Sequence, residues 1–191
     1  MDTEENSGWR ESDNSKIQKS LSDVAASAAH KKELCMLEID IPAFGFVRLE
    51  HLVSDFTGTL SVDGKLLPEV EARLNRLSKL LAIHILTSDT FGRARAELNN
   101  VKCELHILSG ENHDVQKEAF VKKLGAESVV AFGNGKNDRK MLKAAKIGIS
   151  VTEGEGCAVD AILAADIHVM SALDGLDLLL NTKRCKATLR Y

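Results

Sequence analysis

From Met36 onward, short apolar runs alternate with stretches of helical apolar spacing. Leu37, Ile39 and Ile41 alternate with Glu38 and Asp40, Pro42 to Gly45 punctuates, and Phe46 to Leu49 runs apolar again. That pattern predicts a β-hairpin. The hairpin leads into His51 to Leu60, HLVSDFTGTL, where a run of strand formers ends on a single acid, Asp55, and breaks into a turn at Gly58. A short hairpin follows over Ser61 to Leu67, turning at Asp63-Gly64, and then a repeating βα rhythm. Apolar spacing predicts helices over 68–80 (Val70, Leu74, Leu77, Leu80), 91–100, 113–124, 137–146, 156–165 and 173–180. Strands are predicted to end near Ser88 and to run over 103–108, 128–132, 147–151 and 166–170. Strands that alternate with helices require a mostly parallel central sheet with helices on both faces, a three-layer α/β sandwich.

Residues 1–34 break the rhythm. They are rich in Ser, Asp, Glu, Asn and Lys and read as a polar N-terminal extension, with a weak helical stripe at Ile17, Leu21, Val24, Ala25 and Ala28. Residues 35–191 are then the catalytic domain. At 191 residues and 44% hydrophobic content the chain can build one sizeable core. A net charge of −3 with both signs interspersed gives no footprint for nucleic acid or a membrane surface. No window approaches the roughly 18 apolar residues of a spanning helix, so a cytoplasmic protein is expected. Cys35, Cys103, Cys157 and Cys185 lie far apart with no CxxC, which argues against a disulfide framework or a zinc site.

The candidate chemistry gathers at strand ends. Asp55 would be presented at the carboxyl edge of the sheet, where open α/β folds place their ligands. Thr57, Gly58 and Thr59 follow it with hydroxyls and backbone N–H groups suited to a phosphate oxygen. Thr87, Ser88 and Asp89 end the next strand, Lys117 lies in the helix over 113–124, and Gly133-Asn134-Gly135-Lys136-Asn137-Asp138 ends the strand over 128–132.

In this order and spacing, these residues resemble the haloacid dehalogenase superfamily of phosphotransferases. Its hallmark is DxDGT(L/V), then a Thr or Ser, then a Lys, then GDGxND. The third-position Thr of Asp55-Phe56-Thr57-Gly58-Thr59-Leu60 and the Thr87-Ser88-Asp89 triplet are similar to the DKTGTL and TGD of the P-type ATPase phosphorylation domain. The resemblance covers residues 50–170 and implies a Rossmann-like fold and a Mg²⁺-dependent phosphohydrolase. Asp55 would be the nucleophile that forms an aspartyl-phosphate, with Thr57 and Lys117 beside it in the catalytic set. Thr57, Gly58, Thr87, Ser88, Lys117 and Asn137 would surround a small phosphorylated substrate. Asp55, the Thr57 carbonyl, Asn134 and Asp138 would supply oxygen ligands for Mg²⁺.

Two departures matter. Thr57 stands where phosphatases of the superfamily carry the acid that protonates the leaving group, and its hydroxyl cannot do so near neutral pH. Slow turnover is expected, favouring good leaving groups such as ATP, acyl or aryl phosphates. Asn134 replaces a metal-binding Asp, which should weaken Mg²⁺ binding.

Asp55 and Thr87 are 32 positions apart and Thr87 and Lys117 are 30, too few for a cap domain. An uncapped site is open to water unless another subunit covers it, so a homo-oligomer is expected. His51, His84, His106 and His168 fall in strands and read as satisfied sheet residues. Lys65, Arg93 and Lys136 read as charges on loops at the mouth. The alternative function is a regulatory protein of the same fold that binds phosphate or nucleotide with little turnover.

Overall fold

The computed structural model describes residues 36–191. The polar extension and its helical stripe lie outside the described residues. Leu37–Ile41 (β1) and Gly45–Leu49 (β2) pair antiparallel as the predicted hairpin, with Leu37 opposite Leu49 and Ile41 opposite Gly45. Ile39, Ile41, Val47 and Leu49 are buried, so the alternation belongs to a ribbon with one face on the core. His51–Ser54 (β3) follows, then the two-residue strands Ser61–Val62 (β4) and Lys65–Leu66 (β5) of the small hairpin, and the helix Val70–Leu77 (α1). The repeat continues with Ala82–Thr87 (β6), Ala94–Glu97 (α2), Glu104–Ile107 (β7), His113–Leu124 (α3) and Val129–Gly133 (β8). It closes with Arg139–Ala144 (α4), Ile147–Val151 (β9), Val159–Ala164 (α5), Ile167–Val169 (β10), Ala172–Leu180 (α6) and Thr182–Leu189 (α7).

The central sheet has six parallel strands in the order β10-β9-β8-β3-β6-β7. The chain starts in the middle at β3, steps outward through β6 to β7, then returns to the other side of β3 and steps out through β8 and β9 to β10. The connections leaving β3 and β8 therefore diverge, and a crevice opens at their carboxyl ends, the switch point of such sheets.

Strand alternation sorts the apolar side chains onto two faces. Leu52, Ile83, Ile85, Val130 and Phe132 point to the layer of α1 and α6, whose Val70, Leu74, Leu77, Ala172, Leu176 and Leu179 recur at helical spacing. Val53, Leu86, Val129 and Ala131 point to the layer of α3, α4 and α5, with Val121, Met141, Leu142 and Ala161. Arg73 of α1 forks onto Asp177 of α6 at 2.9 and 3.2 Å and ties the first layer together.

Three expectations needed revision. The helix over 91–100 is only Ala94–Glu97, because Asp89 Oδ1 accepts from the N–H groups of Arg93 and Ala94 and the chain turns again at Asn99 and Asn100. The helix over 173–180 is not the last of the series. Asn181 breaks that helix, and α7 starts a new one that packs along β1 and buries Cys185. Of the strand histidines, His168 is satisfied by Ser150 and Thr152, but His84 Nδ1 and His106 Nε2 are buried with no hydrogen-bond partner. Among the described residues, no helix is long and apolar enough to cross a membrane.

Phe132 is fully buried beneath Gly175 of α6, where even a methyl group on the glycine would lie 2.6 Å from the ring. Phe132→Ala is expected to cost about 3 to 5 kcal/mol in urea unfolding with an unchanged slope. A loss below about 1 kcal/mol would contradict this packing of α6 on the sheet.

Candidate active site

Asp55 is the first residue beyond β3, and its N–H donates to the Phe132 carbonyl of β8 at 2.9 Å, which pins the acid's backbone at the switch point. The turn behind it is wound on one acceptor. The Phe56 carbonyl receives the N–H groups of Leu60 and Ser61 at 2.9 and 3.0 Å and the Ser61 hydroxyl at 2.9 Å, while the buried Phe56 ring anchors the turn to the core. Gly58 has φ +78°, and a side chain there would run into the Asn134 amide. Only glycine satisfies both the backbone and the space.

Lys117 reaches this turn from α3. It is 1% exposed, and its Nζ donates to Asp55 Oδ1 at 2.6 Å and to Asp138 Oδ1 at 2.7 Å. Asp138 is fully buried, and its other oxygen accepts from the N–H groups of Asn134 and Gly135 at 3.1 and 2.8 Å. Both Asp138 oxygens thus accept hydrogen bonds within the protein, one of them from Lys117. Gly133 makes this possible, since a Cβ there would lie 2.5 Å from that of Asp138.

Asn134 sits on the opposite side of Asp55. The Thr59 hydroxyl lies 3.1 Å from Asn134 Oδ1 and 3.3 Å from Asp55 Oδ2, and its one proton serves one acceptor at a time. Asn134 Nδ2 donates to the Gly156 carbonyl at 3.0 Å, so its amide oxygen is turned toward the acid. Thr87 is 1% exposed at the end of β6, with its hydroxyl accepting from Asp89 N–H at 2.9 Å. Thr57 is half-buried, whereas Ser88 and Asn137 are exposed. Lys65 and Arg93 are exposed, and Lys136 faces Asp160 at 3.4 Å.

Two carboxylates share one ammonium here. Burial pushes the Asp55 carboxyl up, to about 6, because Lys117 offsets only part of the desolvation and Asp138 adds repulsion. For Lys117, burial disfavours the charge but Asp55 and Asp138 together outweigh it, and the ammonium is held above its usual range. Asp55 Oδ2 and Asn134 Oδ1, which share the single Thr59 hydroxyl proton, are both oxygens beside a net negative charge. That donor set suits a hard divalent cation such as Mg²⁺.

The sequence did not single out Asp114, in the first turn of α3. It meets Arg139 and Lys140 of α4 at 3.1 and 3.0 Å and seats the helix that delivers Lys117. A groove of about 570 Å³ between α3, α4 and α5 contains none of the groups around Asp55, whose site lies at the open sheet edge. Between Asp55 and Lys117 the chain holds only the β4–β5 hairpin, α1, β6, α2 and β7, so no cap domain is inserted there among the described residues.

Residues 90–164 match the model of the haloacid dehalogenase-like hydrolase family. An uncharacterized protein of Methanocaldococcus jannaschii is 48% identical over 64 residues, 34% of this chain and 69% of that protein. A probable copper-exporting P-type ATPase of Archaeoglobus fulgidus is 32% identical over 106 residues, 54% of this chain but only 13% of the ATPase. The 3-deoxy-D-manno-octulosonate 8-phosphate phosphatase of Moraxella catarrhalis, solved with magnesium and phosphate ions, superposes with a TM-score of 0.53 at 18% identity, over 74% of this chain and 94% of that one. Asp55 after β3 and Asp138 after β8 converge on one buried lysine of α3, and the match to the family accords with that convergence: the chain belongs to the haloacid dehalogenase-like hydrolases.

Proposed function

We propose that this protein is a Mg²⁺-dependent phosphohydrolase that works through an aspartyl-phosphate on Asp55, slowly and with a preference for good leaving groups. The observation that carries the reading is the 2.6 Å contact between buried Lys117 and Asp55, which fixes one carboxylate at the sheet edge and leaves its other oxygen with only the Thr59 hydroxyl, at 3.3 Å.

Asp55 Oδ2 attacks phosphorus, and the bond from phosphorus to the leaving oxygen breaks with its electron pair. Water then attacks the phosphorus of the acyl phosphate, the bond to Asp55 breaks, and inorganic phosphate and the carboxylate are restored. Lys117 holds Asp55 in place and offsets part of the charge brought by the phosphoryl group. The Thr87 hydroxyl and the Thr57 N–H flank its oxygens, whereas the Gly58 N–H, expected to join them, donates to the Ser61 carbonyl at 2.9 Å and shapes the turn instead. Asp55, the Thr57 carbonyl and Asn134, with Asp138 beside them, would hold Mg²⁺, and the ion would supply charge neutralisation of the phosphate. Because Thr57 offers no proton, the leaving group departs as an anion, which favours aryl and acyl phosphates and ATP. A second copy of the chain covering the open edge would shield the phosphoenzyme from water.

A regulatory protein that binds phosphate or nucleotide with little turnover is the second reading, favoured by Thr57 and Asn134 standing at acid positions. Mg²⁺-dependent release of p-nitrophenol from its phosphate ester separates the two: activity lost in Asp55→Asn fits catalysis, and equal activity in both proteins removes it. Thr57→Asp is expected to raise steady-state phosphate release by about 100-fold, the scale of one general acid. No gain would count against the leaving-group account.

The nucleophile also burdens the fold. An acid whose folded pKa lies above its unfolded value stabilises the fold while protonated, and that contribution is lost as pH rises through the folded value. With Asp55 at about 6 against 3.8, Asp55→Asn should match the wild type near pH 4 and exceed it above pH 7 when metal is chelated. The gap should be on the order of 2 to 3 kcal/mol in urea unfolding. Equal stability at both pH values would show that Lys117 fully compensates the buried charge.

A further inference from the structure

We propose that His84, Glu104 and His106 form a second metal site, for a divalent transition-metal ion of the zinc type, on the α3 face of the sheet. None of the three takes part in the phosphate chemistry. His84 lies in β6 and Glu104 and His106 in β7, and the parallel register sets His84 directly beside Glu104. One donor atom from each residue falls within 4.8 Å of the other two.

The distances are those of a site with a place left for the ion. His84 Nδ1 is 3.3 Å from Glu104 Oε2, and His106 Nε2 is 3.7 Å from the same oxygen. Ligands about 2.1 Å from a tetrahedral ion stand about 3.4 Å from each other, so two of the three edges already approach that geometry. Yet neither imidazole nitrogen makes a hydrogen bond, although both are buried. A buried ring nitrogen without a partner is costly, and a metal ion is a partner that satisfies both nitrogens and the carboxylate at once. His84 is 5% exposed, whereas Glu104 and His106 lie on the edge strand and are more open, so an ion has an approach from solvent.

The surroundings fit as well. His84 Nε2 lies 3.1 Å from His51 Nδ1. If His84 Nε2–H donates to His51, the lone pair of His84 falls on Nδ1, the nitrogen that faces Glu104. Second-shell hydrogen bonds commonly set the tautomer of a metal-ligating histidine in this way. Phe120 walls the other side, with its ring 4.6 Å from that of His106 and 5.4 Å from that of His84. Two imidazoles and one carboxylate form the donor set of open zinc sites and bind softer ions than an all-oxygen site does.

The experiment uses the full chain in saturating Mg²⁺, which occupies the oxygen site, with Co²⁺ as the spectroscopic probe and Zn²⁺ titrated by calorimetry. One equivalent of Co²⁺ should give intense visible bands of low-coordinate imidazole ligation, and Zn²⁺ should displace it. Glu104→Gln and His106→Gln, on the open side, should each weaken binding at least tenfold. Asp55→Asn should leave binding unchanged. Octahedral Co²⁺ spectra, binding unaltered by Glu104→Gln and His106→Gln, or binding lost in Asp55→Asn would each overturn the site. The result does not depend on whether the protein turns over a phosphate ester.

Discussion

One ammonium divided between two buried carboxylates is the constraint around which this protein is built. Lys117 cannot neutralise Asp55 and Asp138 together, and removing it would leave two acids in a dry site, a change of the kind that costs about 3 to 5 kcal/mol. The remaining negative charge is what a cation can exploit. Asp138 gives one oxygen to the lysine and the other to the Asn134 and Gly135 N–H groups, whereas the second oxygen of Asp55 meets only the Thr59 hydroxyl. The two acids share a charge partner but have separate tasks, assigned by their hydrogen bonds.

The fold supplies this arrangement through its strand order. Because the chain begins at the sheet centre and fills one side before the other, β3 and β8 are neighbours whose outgoing loops diverge. The Phe132 carbonyl holds Asp55, and the loop after Phe132 holds Asn134 and Asp138. The Asn134 carbonyl in turn accepts the Ala158 N–H at 2.8 Å, which couples this loop to the start of α5. Lys117 arrives across the α3 layer, whose seat on α4 is set by Asp114. Each group therefore reaches the site from a different element, and the rigid sheet keeps them in register.

Much of this was legible in the chain. Strands buried on both faces read as apolar runs, and the helix over 113–124 kept its limits because Gly125, at φ +91°, terminates it. The pairing of Asp55, Lys117 and Asp138 was legible only through the motif resemblance, since positions 62 and 21 residues from the lysine share no local period. What stayed hidden was cross-strand. His84, Glu104 and His106 have no helix or loop spacing of a metal motif, and the register that joins β6 to β7 is a property of the folded sheet. Ser88 and Asn137 carry motif positions yet are exposed, because a motif marks the backbone path and not the direction of every side chain. The separate helix α7 escaped notice because its apolar side is small, with Cys185 its buried residue.

One helix joins the two regions of chemistry. Lys117 and Phe120 of α3 stand three residues apart, on adjacent turns of the same face. The first turns toward oxygen ligands at the sheet edge, and the second covers imidazoles deeper on the same layer. Hard Mg²⁺ gains little from imidazole, while zinc-like ions gain from it strongly, so donor chemistry alone would sort two ions between the proposed sites on neighbouring strands. An ion that drew His84 and His106 together would press on Phe120, and through it on the helix that sets Lys117. The sheet offers a short physical route from one site to the other, and its span is a single helical turn.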